Sequence, residues 1–289
     1  MSSVTIGIIG GTGLYAMEGL ENTKRVSLET PFGKPSDSYL VGELNGTAAA
    51  FLPRHGTGHR ILPHELNFRA NIYGFKQLGV EAIISVSAVG SMKEEIKPLH
   101  MVLPDQFFDR TRKRIDTFFG GGIAAHVAFS HPVCPRLREV LHNKVVALGL
   151  PVHNGGTYIC IDGPQFSTRA ESLVYRSWNA DVIGMTNLQE AKLAREAEIC
   201  YATVALVTDY DCWREGDDTL SIEMIIENLN KNTHNVQQVI REAVPAIAAG
   251  KRICACPEAL HNAIITPEDL IPPQVKNDLR IIIGKYLKG

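Results

Sequence analysis

Apolar residues recur along this chain in short blocks that follow two periods. Val4 to Ile9 is a nearly continuous apolar run closed by Gly10-Gly11-Thr12-Gly13, as expected of a buried strand ending in a tight turn. Ser38 to Glu43 and Thr47 to Leu52 flank Asn45-Gly46, a strong hairpin signal. Helical spacing runs from His64 to Leu78 and from Pro135 to Leu148, each followed by glycine. Glu81 to Ser87 is apolar and β-branched, with Ala88-Val89-Gly90-Ser91 as a small-residue loop after it. Thr157 to Ile161, Ala180 to Ile183 and Cys200 to Thr208 read as strands. They alternate with helices over Thr168 to Trp178, Asn187 to Ala197 and Ser221 to Ala248. Two further helical patterns close the chain, Glu258 to Ala263 and Pro273 to Leu287.

Alternating strands and helices define an α/β fold, and the hairpin makes the sheet mixed rather than parallel. No linker divides the 289 residues, so one domain is expected, with a helical C-terminal extension from about residue 251. Composition changes little in this picture: 45% hydrophobic and 21% charged residues are ordinary for a globular chain. Lys plus Arg total 29 against 31 Asp plus Glu, so charge points neither to nucleic acid nor to an acidic binder. Apolar runs are too short for a membrane span, and no export signal is visible, which leaves the cytoplasm as the expected compartment.

Six cysteines, at 134, 160, 200, 212, 254 and 256, are unevenly spaced in a chain too long to need stapling. Cys254 and Cys256 form a Cys-x-Cys pair, read as two thiols or as a bridge. A zinc site is not expected, because no second Cys or His pair follows at ligand spacing.

Several segments carry candidate chemistry. Gly11 to Ala16 fits the dinucleotide pattern G-x-G-x-x-A, but Gly19, Pro31, Gly33 and Pro35 interrupt the long helix that pattern needs. The same glycines suit a lone phosphate, or a plain turn. Arg54-His55-Gly56 follows a strand; Arg is a natural bidentate phosphate ligand. His55 and His59 at i, i+4 would be metal ligands only with a third group that the sequence does not supply. Asp209 and Asp211 follow the last strand, two residues apart and on one face if extended. Placed together, their like charges would raise one pKa and leave a carboxyl able to donate a proton. A solvated turn or a magnesium pair are the other readings. In Asp162 to Ser167, Phe166 offers a stacking face and Ser167 a hydroxyl, if Phe166 is not a core aromatic.

Taken in order, Gly10 to Gly13, Arg54 to Gly56, Asn67 to Asn71, Ser87 to Ser91, Glu171 with its helix, Met185-Thr186 and Thr208 to Asp211 resemble the trimeric purine nucleoside phosphorylases. Within that family the chain is similar to the methylthioadenosine branch. The resemblance implies a mixed sheet partly closed into a distorted barrel and surrounded by helices. It implies phosphate held by Thr12, Arg54, His55, Ser87, Ala88 and Thr186, and ribose over Met185. The base would lie at Phe166, Ser167, Asp209 and Asp211, with Asp209 and Asp211 the catalytic pair. A 5′ pocket would be formed by Ile222, Ile225 and Ile226, with His126 nearby. An apolar group at 222 suits a methylthio substituent, and Asp at 209 suits a 6-amino purine. No metal or organic cofactor is implied, only phosphate as co-substrate, in a homotrimer or a dimer of trimers. A neighbouring subunit closes each site in this family, and His126 is a candidate for that contact. Ser87 stands where many relatives have Thr, Gln189 stands where Pro is common, and the tail from Lys251 is longer than in animal relatives. A purine nucleoside phosphorylase of broader specificity, a hydrolytic nucleosidase on the same fold and a non-catalytic nucleotide binder are the rival readings.

Overall fold

The computed structural model describes residues 4–11, 14, 17–214 and 222–287. Eleven strands form one mixed sheet: β1 (Ile6–Gly10), β2 (Glu21–Val26), β3 (Tyr39–Leu44), β4 (Thr47–Pro53), β5 (Ala82–Ser91), β6 (Met101–Leu103), β7 (Gln106–Arg110), β8 (Val152–Asn154), β9 (Thr157–Ile161), β10 (Val182–Gly184) and β11 (Cys200–Asp209). Seven α-helices flank it: α1 (Phe68–Gln77), α2 (Pro135–Ala147), α3 (Arg169–Ser177), α4 (Asn187–Glu196), α5 (Ile222–Ala249), α6 (Pro273–Asp278) and α7 (Arg280–Ile283). The ladder runs β2-β3-β4-β1-β5-β10-β9-β7, and β11, β6 and β8 branch from β5. No pair among the described residues joins the two ends, so the helix-flanked mixed sheet is as expected but stays open.

The expected hairpin is β3-β4, turning at Asn45-Gly46 with positive φ at both residues. At the centre lies β5, which pairs in parallel with β1 on one edge and with β11 on the other. It differs from the sequence reading in running on through residues 88–91. Pairing with β11 continues to Gly90, so small side chains there do not end the strand.

Apolar side chains fill both faces of the sheet. One cluster joins Ile6, Ile8, Val86 and Val204 to Leu137 and Leu141 of α2 and Val236, Val239 and Ile240 of α5. The other joins Ile9, Leu52 and Tyr201 to Ile72 and Phe75 of α1 and to Leu193 of α4. The tail packs into this second cluster through Ile271, Leu279, Ile282 and Ile283, and Tyr73 donates to the Asp278 carbonyl at 2.6 Å. Expected helix over Glu258–Ala263 is instead a 3₁₀ turn at Cys256–Glu258 followed by turns, with Asn262 at φ +60°. The Pro273 to Leu287 pattern divides into α6, α7 and a 3₁₀ turn.

Candidate active site

A cavity of about 290 Å³ opens where β5 changes partner. Ala82–Val86 pair with β1, and Gly90 and Ser91 pair antiparallel with β10 on the same edge. Between them Ser87, Ala88 and Val89 pair with neither strand, and all three line the cavity. Ligands of open α/β sheets settle at such switch points, where backbone groups stand free at strand ends.

Most residues singled out in the sequence converge there. Arg54, His55, Ser87, Ala88 and Thr186 line the cavity, as do Phe166, Ser167, Met185, Asp209, Asp211 and Ile225. Thr12 lies outside the described residues, and so does the side chain of Ile222, at the start of α5. Two of the expected residues do not line this cavity. Ile226 is half exposed and does not line the cavity, because one residue past Ile225 turns a helix by about 100°. His126 does not line its own chain's cavity either; its backbone N–H donates to the Ala263 carbonyl, in a segment bridged to the tail.

Arg54 is not the open fork the sequence suggested. It is 1% exposed and donates to both carboxylate oxygens of Glu190, at 2.5 and 3.2 Å. It also donates to the Val86 carbonyl at 2.9 Å and to the Ser85 hydroxyl at 2.6 Å. Four of its five N–H groups are thus engaged, and the fifth, on Nη1, has no partner among the described residues. Gly11 makes that placement possible: a β-carbon there would lie 2.5 Å from Arg54 Nη1 and 2.8 Å from the Val86 carbonyl. Glu190 further accepts from Ser85 and Tyr201, and Asn187 donates to both. This buried network escaped the sequence reading. Its only signal was polar residues at 187, 189 and 190, at the start of a helix whose first turn is wholly buried.

His55 is neutral. Its Nδ1 lies 2.8 Å from the Ile61 carbonyl, which can only accept, so Nδ1 carries the proton and Nε2 the lone pair. Burial, reinforced by the Arg54 charge, pushes its pKa down to about 3. Thr186 is the N-cap of α4 but its side chain makes no capping bond, so its hydroxyl is available where the helix presents free N–H groups. Arg114 fixes the adjoining segment by donating to Met185 O at 2.6 Å, Asp162 O at 2.6 Å and Gln189 Oε1 at 2.9 Å. Gln189, at the position where Pro is common in the resembling family, therefore clamps this loop and donates to Thr111 as well.

The two acids sit differently from the extended pair the sequence implied. Asp209 ends β11 after a register shift at Thr208, where Asn228 and Asn232 of α5 donate to the carbonyls of Thr208 and Val207. It accepts from the Thr208 hydroxyl at 2.6 Å and from the Asp211 N–H at 2.9 Å. Asp211 lies in a 3₁₀ turn at φ +50° and accepts from the Ser172 hydroxyl at 2.5 Å. Both pKa values are raised, and for both the largest cause is burial; mutual repulsion is a minor contribution at Asp209. Gly90 gives the carboxylates room, since a β-carbon there would lie 3.1 Å from Asp209 Oδ2. Beside them the Ser167 hydroxyl is buried without a partner among the described residues. Leu229 joins Ile225 on the apolar part of the lining, with His59, Leu62 and Pro63. Its i+4 spacing from Ile225 could have revealed it.

The chain matches the Phosphorylase superfamily over residues 5–245, and it belongs to that family. It is 59% identical over 281 residues to the S-methyl-5′-thioadenosine phosphorylase of Koribacter versatilis, covering 97% of this chain and 96% of that one. The corresponding enzyme of Geobacter sulfurreducens is 56% identical over 283 residues, covering 98% and 99%. Among solved structures, a methylthioadenosine phosphorylase from an antarctic soil metagenomic library superposes with a TM-score of 0.93 at 50% identity, covering 98% and 99%. A Schistosoma mansoni methylthioadenosine phosphorylase in complex with adenine gives 0.84 at 31% identity, covering 97% and 98%.

Proposed function

We propose that this chain splits S-methyl-5′-thioadenosine with inorganic phosphate, giving adenine and S-methyl-5-thio-α-D-ribose 1-phosphate, in purine and methionine salvage. One observation supports the reading: the buried carboxyl of Asp209 shares a single cavity with Arg54, Ser87 and Thr186. Phosphate is held by the remaining Arg54 N–H, the Thr12 and Thr186 hydroxyls, the Ser87-Ala88 edge and the N-terminal end of α4. Neutral His55 accepts from the hydroxyl of hydrogen phosphate. Ribose lies over Met185, and the 5′-methylthio group against Ile222, Ile225 and Leu229. Adenine takes Phe166 on its face and the orphaned Ser167 hydroxyl at its edge.

The N-glycosidic bond breaks early, and the sugar gains oxocarbenium character. Phosphate stabilises that cation and attacks C1′ from the face opposite the departing base. Protonated Asp209 passes its proton to N7, so adenine leaves neutral. Asp211, tied to Ser172, holds the Asp209 carboxylate by its backbone N–H. Positioning and electrostatics account for the acceleration. Phosphate is a co-substrate, and no metal or organic cofactor takes part. The chain works as a single domain with its tail docked, in the cytoplasm, as a homotrimer or a dimer of trimers. His126 belongs to a neighbour's site in that assembly.

Adenine release from methylthioadenosine, followed with and without phosphate, tests the reaction. Release should require phosphate and yield the 1-phosphate sugar. Equal release in phosphate-free buffer would replace phosphorolysis with hydrolysis.

A further inference from the structure

Far from the cavity the fold gathers four thiols. Cys134 precedes α2, Cys200 begins β11, and Cys254 and Cys256 follow α5. Their Sγ atoms all lie within 4.8 Å of one another, and Cys200 and Cys254 are 3.4 Å apart. All are free thiols. Cys134, Cys200 and Cys256 are buried in the core and Cys254 packs against it. Spacing along the chain shows only the Cys-x-Cys pair; Cys134 and Cys200 arrive from remote elements.

We propose that Cys134, Cys200, Cys254 and Cys256 form a tetrahedral thiolate site that holds one zinc ion. With Zn–S near 2.3 Å, the sulfur–sulfur edges of such a site are about 3.8 Å, so small side-chain rotations complete it. Two features favour a metal over a pair of disulfides. First, every sulfur is near the other three, which is the arrangement of four ligands about one centre rather than of two separate bonds. Second, a helix N-terminus and a guanidinium face the thiols. The N-terminal end of α2 opens at Cys134, and Arg252 donates to Cys200 Sγ at 3.4 Å while its other end donates to the Glu198 carbonyl. Zinc with four thiolates carries a net charge of −2, which such partners stabilise; disulfides are neutral and need no partner. The site ties the chain after α5 to the start of β11. Asp209, at the other end of that strand, is nine residues and roughly 30 Å away.

Protein prepared in reducing, zinc-containing, chelator-free buffer should carry one zinc per chain by elemental mass spectrometry. Stripping the metal should lower the thermal midpoint while leaving KM for phosphate unchanged, and all six thiols should then titrate in denaturant. Cobalt added to the stripped protein should give the visible bands and charge-transfer absorption of a tetrahedral thiolate complex. The Cys200→Ser, Cys256→Ser double variant should lose the metal. Four outcomes would each overturn the proposal: no bound zinc after such preparation, thiols blocked as disulfides in unreduced protein, zinc retained by the double variant, or no tetrahedral cobalt spectrum. The last reads the parent protein and decides the matter even if the variant does not fold.

Discussion

In the proposed reaction Asp209 concentrates the chemistry of the cavity in one proton. Burial, more than its neighbour's charge, raises its pKa from the ordinary 3.8. The folded carboxyl therefore keeps its proton to a higher pH than the unfolded one. Above pH 3.8 the folded state binds more protons, so stability falls as pH rises until the folded group ionises. Asp209→Asn removes that ionisation. Its thermal midpoint should exceed the parent's by a margin that grows from acid pH to neutrality. A constant margin would mean that the carboxyl does not titrate differently on folding. The same variant should lose turnover on methylthioadenosine and gain on methylthioinosine. Asparagine can donate to a 6-oxo group and N7, whereas in the proposed complex the parent carboxyl accepts from a 6-amino group. An unpaired buried polar group costs about 1–3 kcal/mol, so relative preference should move about ten- to a hundred-fold. Steady-state rates on both nucleosides read this directly.

Among the elements, α4 ties the buried polar network to the proposed phosphate site. Glu190 neutralises Arg54 inside the protein, and both side chains are almost wholly buried. Removing one partner of such a pair leaves an unpaired charge and costs about 3–5 kcal/mol. Glu190→Gln should lower the urea midpoint accordingly and raise KM for phosphate, because the guanidinium loses its anchor. A variant as stable as the parent would show that Ser85 and Val86 alone hold Arg54. This network also shows where the sequence stopped being legible. Strands with long apolar runs, such as β1, β5 and β11, could be read because both faces are covered. β2 reads Glu-Asn-Thr-Lys-Arg-Val with five of its six residues exposed, so no alternation marks it. β6 and β8 have three residues each, too few for any period. Most of the residues that line the cavity were legible as strand-end motifs. Its supports, Glu190, Arg114 and the switch in β5 pairing, exist only through contacts between distant segments. The four-thiol cluster is the same case, since its members are spread over 123 positions, from 134 to 256.

The whole molecule leaves an apolar surface that one chain does not cover. Leu173 and Val174 on α3 are 48% and 45% exposed, although the helix also carries a well-formed N-terminal capping box. Just past its end Trp178 is 45% exposed and packs at 4.9 Å against Phe108 of β7, itself 44% exposed. Scattered apolar residues need no explanation, but four on two neighbouring elements define a patch of the kind that protein partners cover. Cyclic homo-oligomers bury such surface by repeating one contact around an axis. The patch also adjoins the site: Ser172, next to Leu173 on the same helix, holds Asp211. Assembly through α3 would therefore stiffen the acid that orients Asp209. The proposed trimer makes this testable. Leu173→Glu with Val174→Glu adds charge at exposed positions and leaves the chain's own core intact. Sedimentation should show the parent as a trimer or its multiple, and the double variant as a monomer with lower kcat/KM for methylthioadenosine. If the variant sediments with the parent, α3 faces solvent in the assembly and another surface joins the subunits. A monomeric variant with the parent's kcat/KM would mean that each chain closes its own site.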